Sequence, residues 1–490
     1  MGQRGCHSSR KKIPLIPGSM WAMLMVLVTM AGCADTTAGV ACIIHEDCDS
    51  GVCRNGICLS NGQPDGGDSD TGSVFPLPSL NAVELLFVVD NSGSMEQEQE
   101  LLATSMYAMI NSLLAGVNHA DIDLRLGVIT SDMGVSYEGG TFAGEESWFL
   151  DPRCSDDGDH GGMIGEYTTG AEGAGALTIA VTDDEITCNG NMEPTGCPAD
   201  WACVHRDMMG NGVCAPINDF TKVNCPLVSD YLSDGRYLTP RNRISGDIRF
   251  ADFIAAGACL TQRGTGGCNI EQPLAAVSAA VTGSRGQGFL RANAMTVVVM
   301  ITDEEDCSIA DPQWFHVDEL GTLDTNLACG RHPGMMRDVK QLRKEFIAAK
   351  SAVSGADASG TMMFAAITGV PVGSVCEGRG DQIGDCLNVR PDVNGTGTMS
   401  SPDTVERVVG DGGSTQNYFE YACTRYAEGE SEEAGDAPIT AAYPAPRIVQ
   451  MAREFGSLGF VYSICRDNWT TIMSQIGASI AQRLQVSIEN

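Results

Sequence analysis

The chain reads as an α/β protein, a doubly wound and mostly parallel sheet enlarged by disulfide-containing insertions, and three observations carry that expectation. Apolar runs suited to strands buried on both faces recur at 85–89, 297–301 and 362–368, without the polar alternation of a solvated face. Segments of helical apolar spacing, foremost 96–115 and 335–352, lie between them. That is the order a parallel sheet covered on both faces requires. Two of the runs end in acids, Asp90 and Asp303, and open α/β sheets bind ligands at the carboxyl ends of their strands.

From the start, residues 1–32 carry Arg4, Arg10, Lys11 and Lys12 and no acid, with an apolar run from Met20 to Ala31 too short to span a bilayer. This is the layout of a secretory signal. It ends in Met30-Ala31-Gly32-Cys33, which resembles a bacterial lipobox with Met where Leu is usual; the alternative is ordinary cleavage near Gly32. The resemblance implies that Cys33 is lipidated and becomes the mature N-terminus. Acyl chains would then hold the protein on a membrane surface, at about 0.8 kcal/mol per buried methylene. Ala34 in place of Asp after Cys33 implies, for a Gram-negative lipoprotein, the outer membrane.

Without the signal, 458 of the 490 residues remain, room for one large domain with insertions or for two smaller units. The four cations that leave take the net charge from −33 to −37. So acidic a surface repels nucleic acid and anionic headgroups, and no nucleic-acid partner is expected. Of 20 cysteines, Cys6 departs with the signal and Cys33 takes lipid, leaving 18. An even number in an exported chain points to disulfides. Structural zinc is disfavoured, because Cys-x₂-Cys pairs are absent and the seven histidines are scattered. Residues 33–60 hold Cys42, Cys48, Cys53 and Cys58 in a span too short for a hydrophobic core, so two disulfides would have to hold this module. Residues 61–80, with the polar run NGQPDGGDSDTGS, read as a flexible linker to a large domain over 81–484.

That domain opens on VELLFVVDNSGSM, 83–95. A buried strand ends at Asp90, and Ser92 and Ser94 follow at spacing two around Gly93, so a tight turn can aim three hard oxygens at one point. Such a set suits Mg²⁺, which prefers oxygen and keeps part of its water, or Mn²⁺ or Ca²⁺. The segment resembles the metal-ion-dependent adhesion site of the von Willebrand factor A (vWA) domain, a Rossmann-like fold whose Asp-x-Ser-x-Ser signature closes the first strand. The resemblance runs from about 81 to 484 with large insertions. It implies that Ser92 and Ser94 ligate the metal directly, that Asp90 acts partly through water, and that an acidic group of a protein or extracellular-matrix ligand completes the shell. In AMTVVVMITDEEDCS, 294–308, Asp303 matches the later metal-site aspartate, and Glu304, Glu305 and Asp306 shape the local field. The third loop departs from the pattern: Gly266-Gly267-Cys268 places a cysteine where the resemblance expects a threonine. A thiol is a poor partner for Mg²⁺. Cys268 is therefore expected in a disulfide, with Thr265, Glu271 or water left to supply oxygen.

The remaining elements follow in order. Residues 96–115 read as an amphipathic helix with acids in its first turn, where the helix dipole favours them. Residues 122–130 form the second strand, with Ser131 and Asp132 near the same rim. Residues 134–247 are an insertion with order of its own, expected to crown the metal rim and set partner choice. Its Asp156, Asp157 and Asp159 could hold Ca²⁺ but are expected as solvated loop. Helices are expected at 248–256 and 272–282, a strand at 294–302, and a second insertion at 309–333 with Cys329 as the mate of Cys307. Then come helix 335–352, strand 362–368, and an insertion over 372–445 in which Cys376 and Cys386 could close a loop and 428–436 form an acidic surface turn. Helix 448–455, strand 459–465 and helix 469–484 complete the chain. Catalysis finds no motif: there is no Gly-x-Ser-x-Gly, no His-Glu-x-x-His and no phosphate-binding Gly-rich loop. The expectation is a binding protein, with a structural envelope scaffold and, behind it, an enzyme using bound metal as a Lewis acid as the alternatives.

Overall fold

The computed structural model describes residues 80–115, 122–142, 154, 158–159, 161–164, 231–233, 236–240, 250–283, 288–317, 325–383, 421–427, 429–431 and 437–488, together with short strands at 53–54, 57–58, 187–189, 201–205, 211–216, 404–409 and 414–419. The expected signal segment, Cys33, residues 61–79 of the expected linker, Asp156, Asp157 and Cys386 lie outside these residues. Of the Cys-rich module, one antiparallel ribbon is described, Cys53–Arg54 against Ile57–Cys58. Among the described residues no helix is long and apolar enough to cross a membrane.

The central sheet has, in chain order, β1 (Ala82–Val89), β2 (Asp123–Thr130), β3 (Leu232–Ser233), β4 (Tyr237–Leu238), β5 (Ala294–Ile301), β6 (Met362–Thr368), β7 (Gly378–Arg379) and β8 (Gly459–Ser463). Their order in space is β3-β4-β2-β1-β5-β6-β8-β7. The five long strands from β2 to β8 run parallel, and the edges close with antiparallel β4 on one side and β7 on the other. The chain leaves β1 for β2 on one flank, then returns to lay β5 on the other, with Val89 in register with both Thr130 and Ile301. The crevice between β1 and β5 is therefore the topological switch point of the sheet, the place where such folds bind ligands.

The uninterrupted apolar runs follow from this placement. Every residue of β1, β5 and β6 is buried, and successive side chains point to opposite faces. Val83, Leu85, Phe87 and Val89 pack under α1 (Glu96–Ala115), α2 (Phe250–Thr261) and α7 (Trp469–Ile488). Leu86 and Val88 face α3 (Pro273–Thr282), α5 (Val339–Ser354) and α6 (Pro446–Glu454). Full burial of one such side chain contributes about 1.5–3 kcal/mol, so two-sided burial of these strands sets the layers. A third apolar cluster, with Ile270, Trp314, Phe315 and Tyr443 at its centre, joins the loops beyond the carboxyl ends of the strands to α4 (Thr325–Arg331).

Helix starts differ from their expected places for local reasons. Residues 333–335 form a 3₁₀ turn, and α5 begins only at Val339, because Asp338 accepts a hydrogen bond from Gln341 N (2.8 Å) as its cap. Its end is Gly355 at φ 70°, a left-handed stop. The helix expected at 248–256 runs over Phe250–Thr261. Cys307 pairs with Cys329 as expected, and Cys268 is in a disulfide, with Cys154. A further bridge, Cys423–Cys465, was not foreseen. Asp159 is a correction: it is half-buried, and its Oδ2 accepts from Thr130 Oγ1 (2.6 Å), which ties this part of the 134–247 insertion to the tip of β2.

Candidate functional site

The site forms where β1 and β5 end side by side. Asp90 N donates to Ile301 O (3.0 Å), which continues the strand pairing by one residue. The chain then turns. Ser92 N donates to Asp90 Oδ1 (2.8 Å), an Asx-type closure that brings Ser92 Oγ to 3.2 Å from Ser94 Oγ. Thr302, the first residue beyond β5, donates its hydroxyl to Asp90 Oδ2 (2.6 Å). The Ser94 hydroxyl lies against the carboxylate of Asp303. Asp90, Ser92, Ser94 and Asp303 are thus one cluster at the switch point, with Asp90, Ser92 and Asp303 buried and Ser94 exposed at its mouth.

Gln99, on the first turns of α1, holds the third loop to this cluster. Its Nε2 donates to Asp90 O and to Gly264 O, both at 2.9 Å, while its Oε1 accepts from Arg263 N (2.7 Å) and Gly264 N (3.0 Å). Two residues beyond half-buried Thr265, Gly267 N donates to Asn91 O (2.9 Å). A Cβ at Gly267 would lie 2.4 Å from Asn91 Oδ1, so a larger residue here would have to displace the Asn91 side chain. Cys268 donates its backbone N–H to Asp132 Oδ2 (3.2 Å), and its sulfur is committed to Cys154, so the residue at the expected threonine position supplies no oxygen. Glu271 bridges Asp132 in an isolated antiparallel pair, and Cys307 N donates to Glu271 O (2.7 Å).

Buried polar atoms without a hydrogen-bond partner gather at this end of the sheet. They include Asn91 Oδ1 beyond β1, Asp303 Oδ1 beyond β5 and Thr368 Oγ1 at the end of β6, while the Ser131 hydroxyl beyond β2 lies against the carboxylate of Glu271. Native interiors leave few such atoms, each costing about 1–3 kcal/mol. Burial pushes the carboxyls of Asp303 and Glu271 well above their ordinary range, and in each case the charge of Asp90 adds to the rise. Burial also raises Asp90, against the hydrogen bonds from Thr302 and Ser92, and raises Asp132, with Asp159 adding to it. These acids face one another rather than arginine or lysine.

A cation is what such an arrangement fits: every free donor is a hard oxygen, and the orphaned carboxylate oxygen of Asp303 is one that a divalent ion would satisfy. Among the described residues no three acidic, histidine or cysteine side chains close on one point tightly enough to wrap a metal unaided. The hydroxyls of Ser92 and Ser94 and water would have to complete the shell. From sequence, Asp90, Ser92, Ser94 and Asp303 were legible through the motif and the strand ends. Thr302 and Gln99 were not, since a threonine closing a strand and a glutamine in a helix are ordinary; the strand register aligns Thr302 with Asp90, and the turn into α1 brings Gln99 back to its carbonyl. Comparison of the chain with protein-family models, with curated proteins and with solved structures gives no match.

Proposed function

We propose that this is an exported, lipid-anchored surface protein whose vWA-type domain binds a protein or extracellular-matrix ligand through a divalent cation, Mg²⁺ or else Mn²⁺ or Ca²⁺. The observation that carries this is the buried, partnerless Asp303 Oδ1 beside Asp90 and the two serines, at the switch point of a parallel sheet. A bound dication would neutralise the acids and offer its open position to an acidic group of the ligand. Ser92 and Ser94 would hold it directly, Asp90 would fix the turn that presents them, and Asp303 would take its free oxygen toward it. Attachment through Cys33 would place the site on the outer face of the envelope, in keeping with the acidic chain and its disulfides. Titration of the mature protein with Mg²⁺, Mn²⁺ and Ca²⁺, followed by capture of envelope or matrix ligands with and without EDTA, tests the proposal. Ligand capture that persists in EDTA and in Asp90→Ala would sink it.

One observation favours a second possibility, a scaffold in which the cation serves only the fold. Both oxygens of Asp90 already accept hydrogen bonds inside the protein, so the group has a structural task whether or not a ligand docks. In that case Asp90→Ala lowers the melting temperature and leaves ligand capture untouched. No set of nucleophile, base and oxyanion donors accompanies the cluster among the described residues, and an enzyme is not proposed.

A further inference from the structure

The insertion over 372–445 returns to the sheet as an antiparallel ribbon, Cys423–Arg425 against Thr440–Ala442, which is fastened to the carboxyl ends of the strands in three ways. The first is through the backbone that follows it: Tyr443 N donates to Asp303 O (2.8 Å), and Ala445 N donates to Gly369 O (3.2 Å) just past β6. The second is to α1. Thr440 Oγ1 donates to Glu98 Oε1, while Arg425 Nη2 donates to Thr440 Oγ1 (2.7 Å) and reaches Glu98 Oε1 at 3.5 Å. Glu98 is fully buried on the first turn of α1, four residues after Ser94, and its other oxygen has no partner. An acid so placed depends on the hydrogen bonds and the positive charge that the ribbon brings. The third fastening is covalent: the disulfide Cys423–Cys465 joins the ribbon to the chain two residues beyond β8.

This bridge differs from Cys154–Cys268 and Cys307–Cys329 in its access. Those four cysteines are each at most 2% exposed, whereas Cys423 is half-buried at the margin of its apolar cluster. The Ser463 hydroxyl donates to Cys423 Sγ (3.4 Å), a contact that favours negative charge on that sulfur. Exchange at a disulfide depends on access, and exposed bridges are the labile and regulatory ones. We infer that Cys423–Cys465 is a redox latch: a dithiol opens it, the ribbon comes away from Glu98 and Asp303, and the cation site loosens. Only the last of these steps rests on the cation reading above. The chemistry is thiol–disulfide exchange. A thiolate of the dithiol attacks Cys423 Sγ, the S–S bond breaks, and Cys465 leaves as thiolate and takes up a proton. The second thiol of the reductant then attacks the mixed disulfide and releases Cys423, whose thiolate Ser463 supports until it too is protonated. The dithiol departs as a disulfide, having given its electron pair and its two protons to the cysteines. Without the ribbon Glu98 loses the hydrogen bonds that offset its burial, which unsettles the turn of α1 next to Ser94, and Asp303 loses its tie to Tyr443.

The test reduces the full chain stepwise with dithiothreitol, traps free thiols by alkylation and maps the labelled peptides, with hydrogen exchange and Mn²⁺ titration on the same samples. Expected is labelling of Cys423 and Cys465 before Cys154, Cys268, Cys307 and Cys329, faster exchange at 96–99 and 439–445, and severalfold weaker Mn²⁺ binding. Reoxidation of an unalkylated sample should reverse the last two. Cys423→Ser combined with Cys465→Ser should reproduce the exchange and the affinity of the reduced protein. Labelling of Cys423 and Cys465 only together with the buried pairs would overturn the latch, because that order means global unfolding. Selective opening without faster exchange in either segment would overturn the release of the ribbon. Unchanged Mn²⁺ affinity after that release would overturn the coupling to the site. If the oxidised protein binds none of Mn²⁺, Mg²⁺ and Ca²⁺, the cation reading falls with that coupling, and the order of labelling and the exchange alone decide the latch.

Discussion

Asp303→Asn should stabilise the cation-free protein and abolish its response to metal. Asp303 is 2% exposed, its Oδ1 has no partner, and its charge faces Asp90 and Glu98. Taking carboxylates at roughly 6 Å and an effective dielectric constant of about 20, one such repulsion costs about 3 kcal/mol. Loss of the Ser94 hydrogen bond gives back about 1 kcal/mol. The net gain of about 2 kcal/mol corresponds to roughly 2 °C for a protein of this size. The sign with pH follows from the raised carboxyl. An acid whose folded pKa lies above its unfolded value carries no penalty below the unfolded value, 3.8 here, and the full penalty once pH passes the folded one. The advantage of Asp303→Asn should therefore be largest at alkaline pH and vanish as pH falls toward 3.8. Scanning calorimetry at several pH values, in EDTA and in Mn²⁺, reads all of this. Saturating a cation site a hundredfold above its Kd should add about 2.7 kcal/mol to wild type and nothing to the variant, so their curves should cross. A variant that melts below wild type in EDTA at alkaline pH, or that gains as much from Mn²⁺ as wild type, would refute the reasoning.

Three further outcomes are expected. At the opposite end of the sheet Lys350 and Glu84 are both fully buried, with Nζ 3.0 Å from Oε2. Lys350→Met should cost about 3 kcal/mol, the low end for a broken buried pair because Arg291 also reaches Glu84, and should leave cation binding unchanged; urea melts and calorimetry check both. A Cβ at Gly477 on α7 would stand 2.0 Å from Met109 O on α1, so Gly477→Ala should force the two helices apart and lower stability by more than about 2 kcal/mol, measured by chemical denaturation. Burial raises Glu305 from 4.5 to about 8, against the pull of Arg447. Its share of stability is present below 4.5 and lost as pH rises through about 8, so Glu305→Gln should flatten the fall in melting temperature of the EDTA-treated protein across that window.

Much of the architecture was legible because two-sided burial leaves a simple mark. The run 85–89 is apolar throughout for the reason that helices cover both faces of β1, and the 20-residue α1 declares itself by spacing and acidic first turn. The start of α5 was misplaced by four residues, since a 3₁₀ turn carries apolar side chains as readily as a helix does and only the Asp338 cap marks the boundary. The sequence reads Asp159 as solvated because nothing local reveals its hydrogen bond from Thr130.

By itself the sequence determined the α/β class, the elements of the sheet, and the presence of an acid at the end of two buried strands, since these depend on composition and periodicity over a few residues. Tertiary structure alone decided that β1 and β5 are neighbours, that Thr302 and Gln99 brace Asp90, and that Cys268 is spent in a bridge to Cys154. It also decided that Glu271 is buried beside Asp90, Glu304 and Asp132, against the Ser131 hydroxyl. Most of those facts are set by which distant segments meet, and burial and charge crowding exist only once they have met.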